Sequence, residues 1–362
     1  MKAQLAIRRA LAGKLVIVCG PGGVGKTTTS AALALAAANA GRKTLVCTID
    51  PSKRLRTSLG LARLTGKPQK VKGRLYAMRL DPKQTFDDLV RRHAASPEAR
   101  DRILSNRFYQ QISRHLAGTH EVMAMEALLG VADDFDLIVL DTPPSSSALA
   151  FVDAPRRVLD FVDGRVLRYF LKPYFIAGRL ALEPRTIIGR TFLRILDSAV
   201  GLQFLRELSE FFLAFEGLFD SFRVTATEME RTLKAKETSF LLVTTPASSR
   251  VEEGEAFVSA LGARSLQAVA IIANRVHPWA MEGAPRPRPK AKTRLPDEVH
   301  AELTALAARE NRSADEDARL LRRIGKASDL PVVAVPELEA DVHDLASLAA
   351  LSVWLYPESS PS

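Results

Sequence analysis

Cysteine is nearly absent from the chain. Cys19 and Cys47 are the only 2 in 362 residues, and each lies inside an apolar run. That excludes a disulfide-stapled secreted scaffold and any cysteine zinc site. No run approaches the eighteen or so consecutive apolar residues that a membrane-spanning helix needs. The basic opening, Met1–Lys14, leads into an apolar run, Leu15–Cys19, much shorter than the core of a secretion signal. A soluble, cytoplasmic protein is therefore expected. The 6 histidines (His93, His115, His120, His277, His300 and His343) have no Cys, His or Glu partner at ligand spacing, so no zinc site is expected. Gly-x-Ser-x-Gly does not occur, and neither cysteine is placed as an exposed nucleophile.

What is present is ordinary globular material. Apolar residues make up 47% and charged residues 25%, enough to build a core and unlike a disordered chain. Lys plus Arg outnumber Asp plus Glu by 51 to 41, a net charge of +10. Such an excess suits an anionic partner without choosing among nucleotide, nucleic acid and lipid, and most of it reads as solvated surface.

Short β-branched runs alternate with helix formers. Leu15–Cys19 reads as a buried strand, ended by glycines. A helix over Lys26–Ala40 follows, closed by Gly41, and Thr44–Ile49 is the next strand. Further strands are predicted at Leu75–Leu80, Phe135–Leu140, Phe240–Thr244, Val269–Ile272 and Val332–Val335, and helical patterning resumes over Asp297–Gly325. The order predicts an α/β fold with a doubly wound, mostly parallel sheet. Residues 156–236 differ: they lack a convincing strand and hold most of the 16 phenylalanines. Phe204, Leu208, Phe211, Phe215, Leu218, Phe219 and Phe222 recur at helical spacing. This stretch reads as a helical insertion between core parts 1–155 and 237–362. Packing against neighbouring helices is preferred over an exposed groove for the stripe. The basic, proline-punctuated run 285–294 reads as a solvated loop. It lacks the interleaved aromatics of a nucleic-acid surface, and a membrane contact there would be peripheral at most.

Gly20-Pro21-Gly22-Gly23-Val24-Gly25-Lys26-Thr27 fits G-x-x-x-x-G-K-Ser/Thr between a strand and a helix. Glycines let successive amides converge on phosphate oxygens, and the helix adds its positive dipole end. Lys26 brings a charge to the β- and γ-phosphates, and the Thr27 hydroxyl suits Mg²⁺. Asp141, at the end of an apolar strand, is the partner carboxylate for that ion. Thr142–Ser147 follows as a loop able to sense the γ-phosphate. Asp50 ends the second strand. It either orients and deprotonates the attacking water or caps the helix around Ser52–Leu59.

With these residues in hand, the chain resembles the arsenical pump-driving (ArsA-type) and tail-anchored-protein-targeting ATPases. The resemblance is carried by Gly22–Thr28, Thr48-Ile49-Asp50-Pro51, Asp141-Thr142-Pro143-Pro144 and Ile271–Val276, with Leu75–Pro82 and Ala148–Pro155 fitting the bacterial branch. It implies ATP and Mg²⁺ as ligands. The nucleotide-contacting residues would be Gly22, Gly23, Val24, Gly25, Lys26, Thr27 and Thr28, with Asn274 and Pro336 at adenine. Asp50 would position the water, aided by Lys26, and Thr27 and Asp141 would hold the metal. A dimer is implied, either a homodimer or a heterodimer with a paralogue, and the Phe-rich insertion falls where the targeting members bind hydrophobic protein clients. Three features depart from the pattern: Pro21 replaces the usual lysine that reaches across the dimer, the two cysteines are not placed for arsenite, and the zinc-binding Cys-x-x-Cys is missing.

The leading function is thus a Mg²⁺-dependent ATPase driving a conformational switch. Pro21 motivates an alternative, a weakly hydrolysing, nucleotide-gated subunit that needs a paralogous partner. A signal-recognition-type GTPase is a third reading, although Thr245-Pro246-Ala247 stands where a Thr-Lys-x-Asp guanine motif would follow its strand.

Overall fold

Apolar runs too short for helices build the sheet. The computed structural model describes residues 2–50, 54–94, 96–107, 109–110, 113, 119–143, 145–163, 219–266, 268–281, 296–338 and 341–356. The strands are β1 (Leu15–Cys19), β2 (Thr44–Thr48), β3 (Gln69–Lys72), β4 (Leu75–Arg79), β5 (Leu137–Asp141), β6 (Thr238–Thr244), β7 (Ala268–Val276) and β8 (Val332–Pro336). They form one 8-stranded sheet in the order β3-β4-β2-β5-β1-β6-β7-β8. Every pairing is parallel except β3 with β4. The fold is the doubly wound α/β architecture read from the sequence.

β3 was not legible as a strand. Its residues, Gln-Lys-Val-Lys, are mostly polar because it lies at the sheet edge, where charge discourages pairing with other chains. β7 runs past Ile272 to Val276, so Asn274 lies within the strand and not after it. Pro336 likewise is the last residue of β8 and not part of the following loop.

The chain passes from β1 to β2 and on to β4, returns to insert β5 between β1 and β2, then lays β6, β7 and β8 on the other side of β1. The direction of winding reverses at β1. In open parallel sheets, ligands bind outside the carboxyl ends of the strands at such a point.

Helix α1 (Lys2–Ala12) precedes β1, and α2 (Lys26–Asn39) follows it. α2 is apolar nearly all round, with Ala31, Ala32, Leu33, Ala34 and Leu35 all buried, as a helix covered on two sides must be. It packs on β2 and β5 inwardly and against the helix at Leu345–Leu355 outwardly. The alanines keep that sandwich thin.

Two compact units are present. The first comprises 1–80, 132–149 and 234–362 and contains the sheet; the second comprises 81–131 and 150–233. In the second, α3 (Arg54–Ser58) having ended in the first, come α4 (Pro82–His93), α5 (Pro97–Ser105), α6 (Thr119–Leu129), the greater part of α7 (Ser145–Asp163) and α8 (Phe219–Lys234). Asp81 and Ser96 cap α4 and α5 by accepting from Gln84 N–H and Ala99 N–H, each at 3.1 Å. Phe86 stacks at an angle on Tyr109 and Phe222, with centroids 5.3 and 5.2 Å away. Phe222 of the phenylalanine stripe is therefore packed. Residues 204–218 of that stripe and the basic run 285–294 lie outside the described residues. Among the described residues, no helix is long and apolar enough to cross a membrane.

The remaining helices, α9 (Ser248–Gly262), α10 (Asp297–Ser328) and α11 (Leu345–Leu355), belong to the first unit. At the amino ends of its strands Arg42 serves three segments. Its guanidinium donates to the carbonyls of Leu11, Gly13 (2.9 Å) and Asp136, joining the end of α1 to the starts of β1 and β5. Arg42→Ala would strand three carbonyls beside partly buried backbone. A loss of about 2 kcal/mol in unfolding free energy is expected from hydrogen bonds to a charged donor, read as a lower urea midpoint with an unchanged slope.

Candidate functional site

Glycine determines the shape of the loop between β1 and α2. At Gly20 the backbone takes φ +146°, and a Cβ there would drive into the Val243 carbonyl on β6. Gly25 caps α2 with φ 92° and ψ 23°, a left-handed conformation that few other residues adopt. A side chain at Gly25 would collide with the Asn274 amide, which donates from Nδ2 to Val24 O at 2.9 Å. Asn274 thus braces the loop from β7.

Thr29 N–H is the first in α2 to reach a carbonyl, that of Gly25 at 2.9 Å. Among the described residues, no backbone carbonyl accepts from the amides of residues 22–28. These free donors at a helix amino terminus make an anion cradle. Lys26 is buried, and its Nζ donates to Gly20 O at 3.0 Å and Pro21 O at 2.8 Å. Burial pulls its pKa below the ordinary lysine value, with Asp141 opposing. A desolvated ammonium resting on two neutral carbonyls is a charge in need of an anion.

Beneath the cradle lies Asp141, 1% exposed. Its Oδ2 accepts from Thr27 Oγ1 at 2.8 Å and Thr48 Oγ1 at 2.9 Å, whereas Oδ1 is buried with no hydrogen-bond partner among the described residues. Burial pushes its pKa up to about 6, against the pull of the two hydroxyls and Lys26. A buried carboxylate with one unused oxygen beside a threonine hydroxyl is a hard-oxygen set suited to Mg²⁺. Thr48 has a second role: its hydroxyl accepts from the Asp50 N–H at 3.1 Å. Thr142 is fixed by its hydroxyl donating to Val18 O at 2.8 Å.

A cleft of about 940 Å³ opens above these groups, large enough for a nucleotide. Gly22, Gly23, Gly25, Lys26, Thr27, Thr28, Asp50, Asn274 and Pro336 all line it. Val24 does not: its side chain is buried, and it contributes its carbonyl to Asn274. Asp141 sits below the floor. The sequence did not reveal Arg54, Thr57 and Ser58 of α3, Arg275, or the wall formed by Glu337, Leu338 and residues 341–343. Arg275 was adjacent to a predicted site residue, but successive residues of a regular strand face opposite ways. Nothing local marks 341–343, which the β8 crossover brings to the cleft. Cys19 and Cys47 are both buried. Burial raises the Cys19 thiol to about 12 and pushes Cys47 up as well, so neither supplies a thiolate.

Comparison with known proteins agrees with this geometry. Residues 13–177 match the family model described as anion-transporting ATPase. An uncharacterised protein of Streptomyces coelicolor is 28% identical over 95% of this chain and 83% of its own length. The ATPase ASNA1 homolog 2 of Paramecium tetraurelia is 28% identical over 73% of this chain and 76% of its own. The ATPase GET3 of Podospora anserina is 32% identical over 39% of this chain and 42% of its own.

The raised Asp141 pKa has a measurable sign. Between about pH 4 and 6 the folded protein holds a proton there that the unfolded chain releases, so rising pH destabilises the fold across that window. Above it the cost reaches about 3 kcal/mol, two pKa units at 1.36 kcal/mol each. Asp141→Asn removes the titration. In metal- and nucleotide-free buffer, the wild type should lose stability relative to the Asn variant as pH rises from 4 to 6, measured by urea unfolding at stepped pH.

Proposed function

Because the chain belongs to the ArsA-type family of P-loop ATPases and is an ATP hydrolase, we propose that it turns over ATP to switch the segments carrying Asp50 and Thr142. The observation that carries this reading is the shared carboxylate oxygen: Thr27 from the phosphate loop and Thr48 from the Asp50 strand both donate to Asp141 Oδ2. The state of the phosphates is thereby linked to the position of Asp50.

The free amides of residues 22–28 and the α2 dipole hold the phosphates. Lys26 exchanges the Gly20 and Pro21 carbonyls for β- and γ-oxygens, bringing a desolvated charge to the place where negative charge develops. Thr27 and Asp141 hold Mg²⁺, which when bound neutralises charge on the β- and γ-phosphates. Asp50 orients the attacking water and accepts its proton. When Thr27 changes partners on ligand binding, Oδ2 of Asp141 is left to Thr48, and Thr48 also carries the Asp50 amide. Asn274 and Pro336 flank the base.

The working unit is a dimer, either a homodimer or a heterodimer with a paralogue, and its switch serves a hydrophobic protein client. The resemblance to targeting ATPases and the presence of a separate helical unit support this assignment. Pro21 favours the heterodimer: the residue at this position offers only a carbonyl, and Lys26 of its own chain already uses it. A nucleotide-gated subunit with weak turnover alone is the second reading that Pro21 supports. Membership of an ATPase family removes the support for the GTPase reading.

Lys26→Ala and Asp141→Ala should each lower ATP turnover at least a hundredfold, in line with losing about 3 kcal/mol of electrostatic stabilisation. Asp50→Ala should abolish turnover while ATP still binds. Turnover at the wild-type rate in the Lys26 variant would defeat the mechanism. Solution mass with and without a non-hydrolysable ATP analogue, repeated in lysate, tests the dimer and the paralogue.

A further inference from the structure

Among the described residues, three other than glycine have positive φ: Ser265, Arg275 and Asp329. Ser265 lies in the turn after α9, and Asp329 caps α10, both places where the left-handed conformation is common. Arg275, at φ 56°, is inside strand β7. There the conformation is strained for a side chain with a Cβ, and such strain persists only where the surroundings enforce it.

The surroundings do enforce it. β7 pairs with β8 at Ala273–Ala334 and next at Val276–Pro336, so β7 advances three residues while β8 advances two. The extra residue is a bulge. It is fixed on both sides. Before it, Asn274 Nδ2 holds Val24 O at 2.9 Å. After it, Val276 O accepts from Glu337 N–H at 2.9 Å, and His277 N–H donates to Asp317 Oδ2 at 2.7 Å. The His277 ring is held in turn, its Nε2 3.0 Å from Glu310 Oε2. A regular strand would send residues 274 and 275 to opposite faces of the sheet. The bulge makes both line the same cleft.

What arrives there is a guanidinium that is exposed and makes no hydrogen bond or ion pair with a described residue. A strained backbone that delivers an unpartnered cation to a cleft has no explanation in stability. We propose that Arg275 is a base-contacting residue of the nucleotide cleft and stacks its guanidinium plane on the face of the purine; this deepens the ATP-cleft reading and rests on it. The phosphate end is already served by Lys26 and the loop amides. Arg275 stands next to the end of β8, where Val276 pairs with Pro336 and its carbonyl accepts from Glu337 N–H. Beside Arg275, the wall of Pro336, Glu337 and Leu338 carries no cation. A planar, weakly hydrated guanidinium stacks on aromatic faces in a way that a lysine ammonium does not.

The test is calorimetric titration of the full chain with a non-hydrolysable ATP analogue and, separately, with inorganic tripolyphosphate. Arg275→Ala should weaken the ATP analogue about tenfold and leave tripolyphosphate unchanged. Arg275→Lys should not restore the analogue, because it keeps the charge without the plane. Arg275→Gly should bind as Arg275→Ala does and melt no lower, since glycine tolerates this φ. Unchanged affinity for the ATP analogue in Arg275→Ala, an equal loss for tripolyphosphate, rescue by lysine, or a glycine variant melting below the alanine variant each overturns the proposal. A wild-type chain that binds neither probe would instead overturn the ATP-cleft reading.

Discussion

One carboxylate organises the carboxyl end of the sheet. Asp141 is removed from water, shares one oxygen between two threonine hydroxyls and leaves the other without a partner among the described residues. Four apolar residues of β5, Leu137–Leu140, carry it there, and the parallel neighbours β1 and β2 supply Thr27, by way of the loop, and Thr48 directly. The arrangement is poor for stability and good for chemistry. A hydrophobic side chain would suit the position better in the folded chain, but no hydrophobic side chain could present an oxygen to a cation. Lys26 shows the same compromise with the opposite sign, a buried ammonium resting on carbonyls.

The central sheet was legible because parallel strands covered on both faces must be written as unbroken apolar runs. Leu15–Cys19 and Thr44–Thr48 are buried at every position. Edges and bulges escape such reading. β3 is polar because it ends the sheet, and α1 is a basic segment whose role depends on the Arg42 brace. The glycine-rich loop after β1 was legible as a motif in its place between a strand and a helix. Two close approaches, Gly20 to β6 and Gly25 to Asn274, are visible only once the strands are assembled.

The far wall of the cleft was mostly illegible. Pro336 came from the family resemblance, whereas Glu337, Leu338 and residues 341–343 carry no local signature. Their position depends on β8 taking the outer place beside β7, a long-range event. Arg275 escaped for the opposite reason. Its neighbour Asn274 was marked, but the rule of alternating faces sends Arg275 to the other side, and only a register shift of one residue brings both to the cleft.

The order in which these parts occur along the chain bears on biosynthesis. The amide cradle is written within the first thirty or so residues, but the wall facing it and helix α11, which covers the alanine side of α2, come from 336–355. Until residues 336–355 have been made, a nascent chain therefore carries an incomplete pocket, with the outer face of α2 bare. Any chaperone that shields this chain during synthesis has the α2 alanine face to hold until helix α11 has been made.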